Sequence, residues 1–192
     1  MNPFAWLFSV VALEAVTICR SAIKRSSQSE NKVSKDLLRV YMELGSLLSL
    51  PGYKSELYEA ERMHRFALQG FTRIFGPEHP TTLYSTYKLA MTLSKKGDKK
   101  GAEELYLLVC KGRERILGLT HPDTISSITN FQAFLNGIKC ASQSALEECR
   151  LLSERALEAC EKVHGVGHSL TGRLVESRER ENRLVQYRKR RK

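Results

Sequence analysis

The sequence predicts an all-α solenoid of stacked antiparallel helix pairs, and three observations carry that prediction. Gly76-Pro77-Glu78-His79-Pro80-Thr81-Thr82-Leu83 and Gly118-Leu119-Thr120-His121-Pro122-Asp123-Thr124-Ile125 nearly repeat one another, 42 residues apart. A fixed period in the range of roughly 20–50 residues marks a repeat architecture. Around these stretches apolar residues recur at helical spacing, and each helical stretch ends at a Gly, Pro-Gly, Gly-Asp or Asn-Gly stop. A hydrophobic content of 42% supplies a core, and a charged content of 27% with only five prolines argues against global disorder.

Residues 3–19 (PFAWLFSVVALEAVTIC) are strongly apolar and are followed by Arg20, Lys24 and Arg25. Three readings stay open. As a signal peptide the stretch lacks a basic start and a clear cleavage site. As a membrane anchor it is at the short limit and Glu14 interrupts it. As a solenoid helix it packs on the next pair. Ser26 to Asn31 reads as a polar linker, so residues 1–31 form an N-terminal helix plus linker.

Residues 32–168 read as the repeat array, about three helix pairs. Leu37, Leu38, Tyr41, Leu44, Leu47 and Leu48 mark a first helix, stopped by Pro51-Gly52. Its partner spans about 55–75, with Leu57, Ala60, Met63, Ala67, Phe71 and Ile74 inward, and Gly76-Pro77 ends it. The second pair opens at His79-Pro80, because proline suits the first helical turn. Leu83, Tyr87, Ala90 and Leu93 mark its first helix, and Gly97-Asp98 the turn. Its second helix runs over about 99–117, with Ala102, Leu105, Val109 and Ile116 inward. The third pair opens at His121-Pro122, where Asp123 favours the helix dipole. Ile125, Ile128, Phe131 and Leu135 follow, and Asn136-Gly137 stops the helix. The partner helix spans about 144–164, with Leu146, Cys149, Leu152, Ala156 and Val163 inward. His168 comes 47 residues after His121, so the loop here is five residues longer than in the preceding unit. Ala60, Ala102 and Cys149 each lie sixteen residues before a terminal glycine (Gly76, Gly118, Gly165). A small residue there suits close helix crossing.

Residues 169–192 read as a last, very polar helix or tail. It carries net +6 of the chain's +10, so the basic pI of 9.5 says little about the array. Arg183, Arg188, Lys189, Arg190, Arg191 and Lys192 form the basic end. Nucleic acid, anionic lipid or an acidic protein segment would suit it, and so would a solvated helix end. The only interleaved aromatic is Tyr187, which speaks against base stacking.

The pattern Gly-x-x-His-Pro-x-Thr-Leu/Ile, then Leu89-Ala90, Gly97 and Ala102-Glu103, resembles the 42-residue tetratricopeptide repeat of kinesin light chains. Similar repeats occur in nephrocystin-like proteins and in the C-terminal arrays of fungal NACHT or NB-ARC receptors. The resemblance covers roughly residues 35–168. It departs at His168, which is followed by Ser169, and at Gly172, inside the last helix. It implies a right-handed superhelix whose first helices line a concave groove for a peptide or protein partner. Groove asparagines of that family fall nine residues past the junction histidine, which here are Lys88, Asn130 and Ser177.

The chemistry expected is therefore binding. Groove candidates are Tyr84, Tyr87, Lys88, Ser126 and Asn130, polar or amphipathic residues on first helices. The junction residues Gly76, His79, Pro80, Gly118, His121 and Pro122 are expected to be structural. The two histidines lie one period apart, in separate layers, whereas a metal site needs several converging ligands. Adjacent carboxylates such as Glu103-Glu104 and Glu147-Glu148 do not face one another on a helix. No phosphate-binding loop, nucleophile elbow or zinc-protease motif is present. No catalytic residue, cofactor or metal is expected. Five cysteines without a CxxC pair fit reduced, mostly buried thiols and a cytoplasmic protein. No polar helix seals the N-terminal side, so a longer array, a multidomain receptor or a homo-oligomer is an expected context.

Overall fold

The computed structural model describes residues 14–24, 34–50, 54–138 and 141–190, with side chains as far as Arg183. Every regular element among them is helical. In chain order these are α1 (14–24), α2 (Lys35–Leu48), a 3-10 turn (Lys54–Glu56), α3 (Leu57–Phe75), α4 (Pro80–Lys96), α5 (Lys99–Leu117), α6 (Pro122–Gly137), α7 (Gln143–His164) and α8 (Ser169–Arg190). The chain forms two compact units, Met1–Asp98 and Lys99–Lys192.

In the first unit α2 packs on α3 and α3 on α4. Ser34 starts α2 by accepting a hydrogen bond from the Leu37 N–H, relieving one of the orphan donors of a helix N-terminus. Two glycines then let α2 and α3 approach. Gly45 of α2 lies under the His64 ring, where a Cβ would sit 2.7 Å from two ring atoms. Gly70 of α3 lies under Leu38, where a Cβ would overlap the leucine's methyl groups. Each helix gives up a side chain where the other inserts one. Leu38, Met42, Ala67 and Phe71 form one core cluster, and Val16, Leu44, Leu48, Ala60 and Met63 another. Val16 belongs to α1, whose Arg20 pairs with Glu59 at 2.7 Å. The C-terminal part of the apolar run at 3–19 thus packs on the first pair. Residues 3–13 lie outside the described residues, and no helix among the described residues is long and apolar enough to cross a membrane.

In the second unit α5 packs on α6, while α6, α7 and α8 pack on one another. Ile125, Ile128, Phe131 and Leu135 of α6 are buried with Tyr106 and Val109 of α5 and Leu152 and Ala156 of α7. Tyr106 stacks on Phe131 with centroids 5.8 Å apart. Ala102 and Cys149, at the small-residue crossing positions, are buried, as is Ala60 in the first unit. Ser142 starts α7 by accepting from the Ala145 N–H, and its own N–H donates to Glu103 of α5.

The expected inward set needs correction at the helix ends. Ile74, Ile116 and Val163 are exposed, at 40%, 38% and 65%. Each sits in the last turn of its helix. In α3 the last turn lies beyond the buried stripe, which ends at Phe71. In α5 and α7 the last turn lies beyond the buried stripe, which ends at Arg113 and Cys160. Leu105 and Leu146 are half-buried, and Tyr106 and Ala145 beside them take the buried positions.

The last helix differs from its counterparts. Four, seven, ten and fourteen residues past the junction histidine, α4 buries Leu83, Thr86, Leu89 and Leu93, and α6 buries Ile125, Ile128, Phe131 and Leu135. In α8 the same steps reach Gly172, Val175, Arg178 and Asn182; the first two are half-buried and the last two exposed. Thr171, Leu174 and Ser177 hold α8 to the unit instead. The C-terminal half of this face is therefore solvated.

Candidate partner-binding groove

The junctions fix where each first helix begins. Gly76, Gly118 and Gly165 adopt φ near +85° (87°, 83° and 84°), a conformation costly for a residue with a Cβ. Three residues later the junction histidine is extended and caps the next helix. Nδ1 of His79 accepts from the Thr81 N–H, Nδ1 of His121 from Asp123 and Nδ1 of His168 from Leu170, at 3.1, 3.1 and 3.3 Å. Pro80 and Pro122 follow as the first helical residues. His79 also stacks on Phe75, and His168 on His164, with centroids 4.4 and 4.6 Å apart. The Thr82 and Thr171 hydroxyls donate to the Gly76 and Gly165 carbonyls at 2.8 and 2.9 Å. Thr124, at the same step of the second junction, is fully buried and its hydroxyl has no partner. The junctions are thus turn-closing devices in which each histidine spends one ring nitrogen on its own helix.

In the first unit the candidate residues lie on α4. Tyr84 is 37% exposed, and the Lys88 ammonium lies 5.3 Å from its ring centroid. Tyr87 is half-buried. Lys95, two turns beyond Lys88, donates to the Ser49 carbonyl at 2.7 Å. Burial and the neighbouring Lys88 charge hold the Lys95 ammonium below its usual range. Neither lysine has a carboxylate partner among the described residues. Sequence reasoning missed Lys95, although its seven-residue spacing from Lys88 placed it on the same face.

In the second unit Ser126, Thr129, Asn130 and Ala133 form one stripe of α6. Arg173, Glu176, Ser177 and Arg180 form the matching stripe of α8, each 47 residues later. Thr129, Asn130 and Ala133 line a depression of about 210 Å3 with the four α8 residues. Arg173 donates to the Ser126 hydroxyl at 3.1 Å and has no carboxylate partner among the described residues. Arg180 lies 3.3 Å from Glu176. The floor is held from beneath: the Ser177 hydroxyl donates to Gln132 Oε1, and Gln132 Nε2 donates to Glu181. The arginines escaped sequence reasoning because α8 reads as a polar tail; the 47-residue offset was the signal that could have found them.

A larger trough of about 640 Å3 runs between α5 and α7 over Leu151 and Leu152. Its charges are matched across it, Lys111 with Glu148 at 2.6 Å and Arg155 with Glu114 at 2.5 Å. The basic end begins at Arg183, 3.5 Å from Glu179. The helical backbone continues through Arg188, Lys189 and Arg190, while Arg191 and Lys192 lie outside the described residues. Among the cysteines, burial pushes the Cys149 thiol up to about 12 and Cys110 higher still. Cys140 lies outside the described residues.

Helix pairs closed by Gly-x-x-His junctions, with polar first-helix stripes, define a helical-hairpin repeat protein. Residues 53–115 match the family model of the tetratricopeptide repeat. The fold of the described residues is a tetratricopeptide-like repeat fold. Two crystal structures of a Podosopora anserina protein described as a kinesin light chain with nearly identical TPR-like repeats align with it. One, of a single-substitution variant, is 16% identical with a TM-score of 0.70, covering 93% of this chain and 84% of that one. The other is 16% identical with a TM-score of 0.71, covering 91% and 82%. BtubC (BKLC) from P. vanneervenii aligns with a TM-score of 0.62 at 17% identity, covering 93% and 72%. No curated protein matches the chain in sequence.

Proposed function

We propose that this protein is a non-enzymatic scaffold whose units each hold extended, acidic segments of a partner protein on their first-helix faces. Tetratricopeptide repeats are generally protein-interaction scaffolds, and residues 53–115 match such a repeat. The observation that carries the reading is the α6–α8 depression. Its floor of Ala133, Ser177 and Thr129 is small enough to admit a peptide backbone, and Arg173 above it offers a guanidinium with no carboxylate partner among the described residues. Arginine binds carboxylates in a bidentate fork, giving direction as well as affinity. In the first unit Lys88 and Lys95 supply the same sign of charge, and Tyr84 supplies aromatic contact area. Asn130 is exposed at the rim, and its side-chain amide is of the kind that can both donate to and accept from a peptide backbone. The α5–α7 trough is disfavoured because its charges are already matched.

The test uses a fluorescein-labelled peptide of alternating Glu and small apolar residues, with its Lys counterpart as control. The acidic peptide should bind, weaken with salt, and lose affinity about tenfold or more with Arg173→Glu or Lys88→Glu while helicity is unchanged. Asn130→Ala should weaken it less. Equal binding of both peptides, or variants that bind as the parent does, would sink the groove assignment.

A further inference from the structure

One polar cluster of the first unit is absorbed neither by the groove nor by the junctions. His64 of α3 is 1% exposed and sits where α2, α3 and α4 meet. Its ring lies over Gly45 of α2. Nε2 is 3.2 Å from the Met42 carbonyl of α2, and Nδ1 is 2.9 Å from the Thr92 hydroxyl of α4. A carbonyl only accepts, so Nε2 carries the proton and a neutral ring leaves Nδ1 to accept from Thr92. With its one proton on Nδ1, the Thr92 hydroxyl only touches the Ser49 hydroxyl and the Lys88 carbonyl, each at 3.2 Å, while Ser49 donates to the Gly45 carbonyl at 2.7 Å. One imidazole thereby ties three helices.

The surroundings disfavour a charged ring. α2 offers a carbonyl and a glycine, and the charged groups acting on the ring are both cations on α4, Lys88 and Lys95. Among the described residues no carboxylate is in position to compensate. Burial holds His64 down to about 4 from an ordinary value of 6.5; the Met42 carbonyl, the next largest influence, pulls upward, and the Lys88 and Lys95 charges add smaller downward pushes.

We propose that His64 is an acid-sensitive latch of the first unit, tied electrostatically to the groove through Lys88. Taking up a proton there places an uncompensated charge at the α2–α3–α4 contact and loosens it. The folded ring titrates lower than the unfolded one, so the unfolded chain binds the proton more readily. The latch contributes fully above pH about 6.5, and its contribution falls progressively as the pH drops towards 4. Because Lys88 also belongs to the groove stripe, a change of charge on that stripe alters the pH at which the latch opens.

The experiment is hydrogen exchange of the full chain at pH 7 and pH 5, with NMR titration of the His64 ring. Between these values amides of α2–α4 should lose about twentyfold in protection attributable to this residue, from the two ring values. His64→Gln, which keeps a donor for Met42 and an acceptor for Thr92, should remove that loss. Lys88→Gln should raise the pH at which the ring titrates. In the parent the ring should remain neutral well below pH 6. A ring that titrates near 6.5 overturns the proposal. So does a His64→Gln variant that folds and keeps the parent's acid loss. If that variant does not fold, the parent decides: protection that does not follow the ring's titration sinks the latch.

Discussion

The two units close the same repeat geometry with different polar locks. In the first, a neutral imidazole joins α2, α3 and α4, and helix approach relies on Gly45 and Gly70. In the second, the buried Arg113 guanidinium of α5 reaches α6, donating to the Asp123 carbonyl at 3.0 Å and the Ser127 hydroxyl at 2.6 Å. A neutral lock is easily formed but vulnerable to acid. The second lock depends instead on the guanidinium's fork of donors and is vulnerable to their loss. The junctions do not follow that division between the units. Thr82 and Thr171 each satisfy a glycine carbonyl, while Thr124 buries a hydroxyl with no partner.

The sharpest break in that comparison comes from Arg113→Met. The stem volume is roughly kept, but charge-assisted bonds to α6 are lost and the Asp123 carbonyl and Ser127 hydroxyl lose a donor. A loss of about 2–3 kcal/mol is expected from urea unfolding, with the weakened protection confined to α5 and α6. A smaller effect is expected from Gly45→Ala. The methyl group would gain about 1 kcal/mol of helix propensity but must displace the His64 ring. The net result should be a destabilisation of about 1–2 kcal/mol, with the ring titrating closer to an ordinary histidine. The finest test is a pair. Thr82→Val should lose about 1 kcal/mol because it leaves the Gly76 carbonyl without its donor. Thr124→Val should be neutral or slightly stabilising, since it removes a buried hydroxyl that donates to nothing. Equal losses in thermal unfolding would show that Thr124 has the same role as Thr82.

Much of the fold was legible in the sequence because its signals are local. The Gly-x-x-His-Pro junctions, the helix stops and the 42-residue spacing depend on backbone conformations that only certain residues adopt. The inward faces were legible in helix middles, where Ala60, Phe71, Val109, Phe131 and Ala156 are all buried. They failed at helix ends, where Ile74, Ile116 and Val163 reach past the packed stripe. Of the candidate groove residues, Asn130 proves to line a depression and Tyr84 to be exposed beside Lys88. Arg173 was legible only through its 47-residue offset from Ser126, because a tail rich in arginine otherwise carries the same signal whether it faces a depression or solvent.

By itself, then, the sequence determined the helices, their order and the points where the chain turns. A 3.6-residue period and a glycine at positive φ need no knowledge of distant residues. Only the tertiary structure decided which polar side chains do something specific. His64 and Arg113 read like ordinary surface residues until α4 and α6 cover them, because burial turns a solvated group into one that must find a partner or give up its charge. Nothing local to Arg173 or Ser126 marks them as neighbours: the depression between them exists because α8 lies along α6, a contact between residues 47 apart.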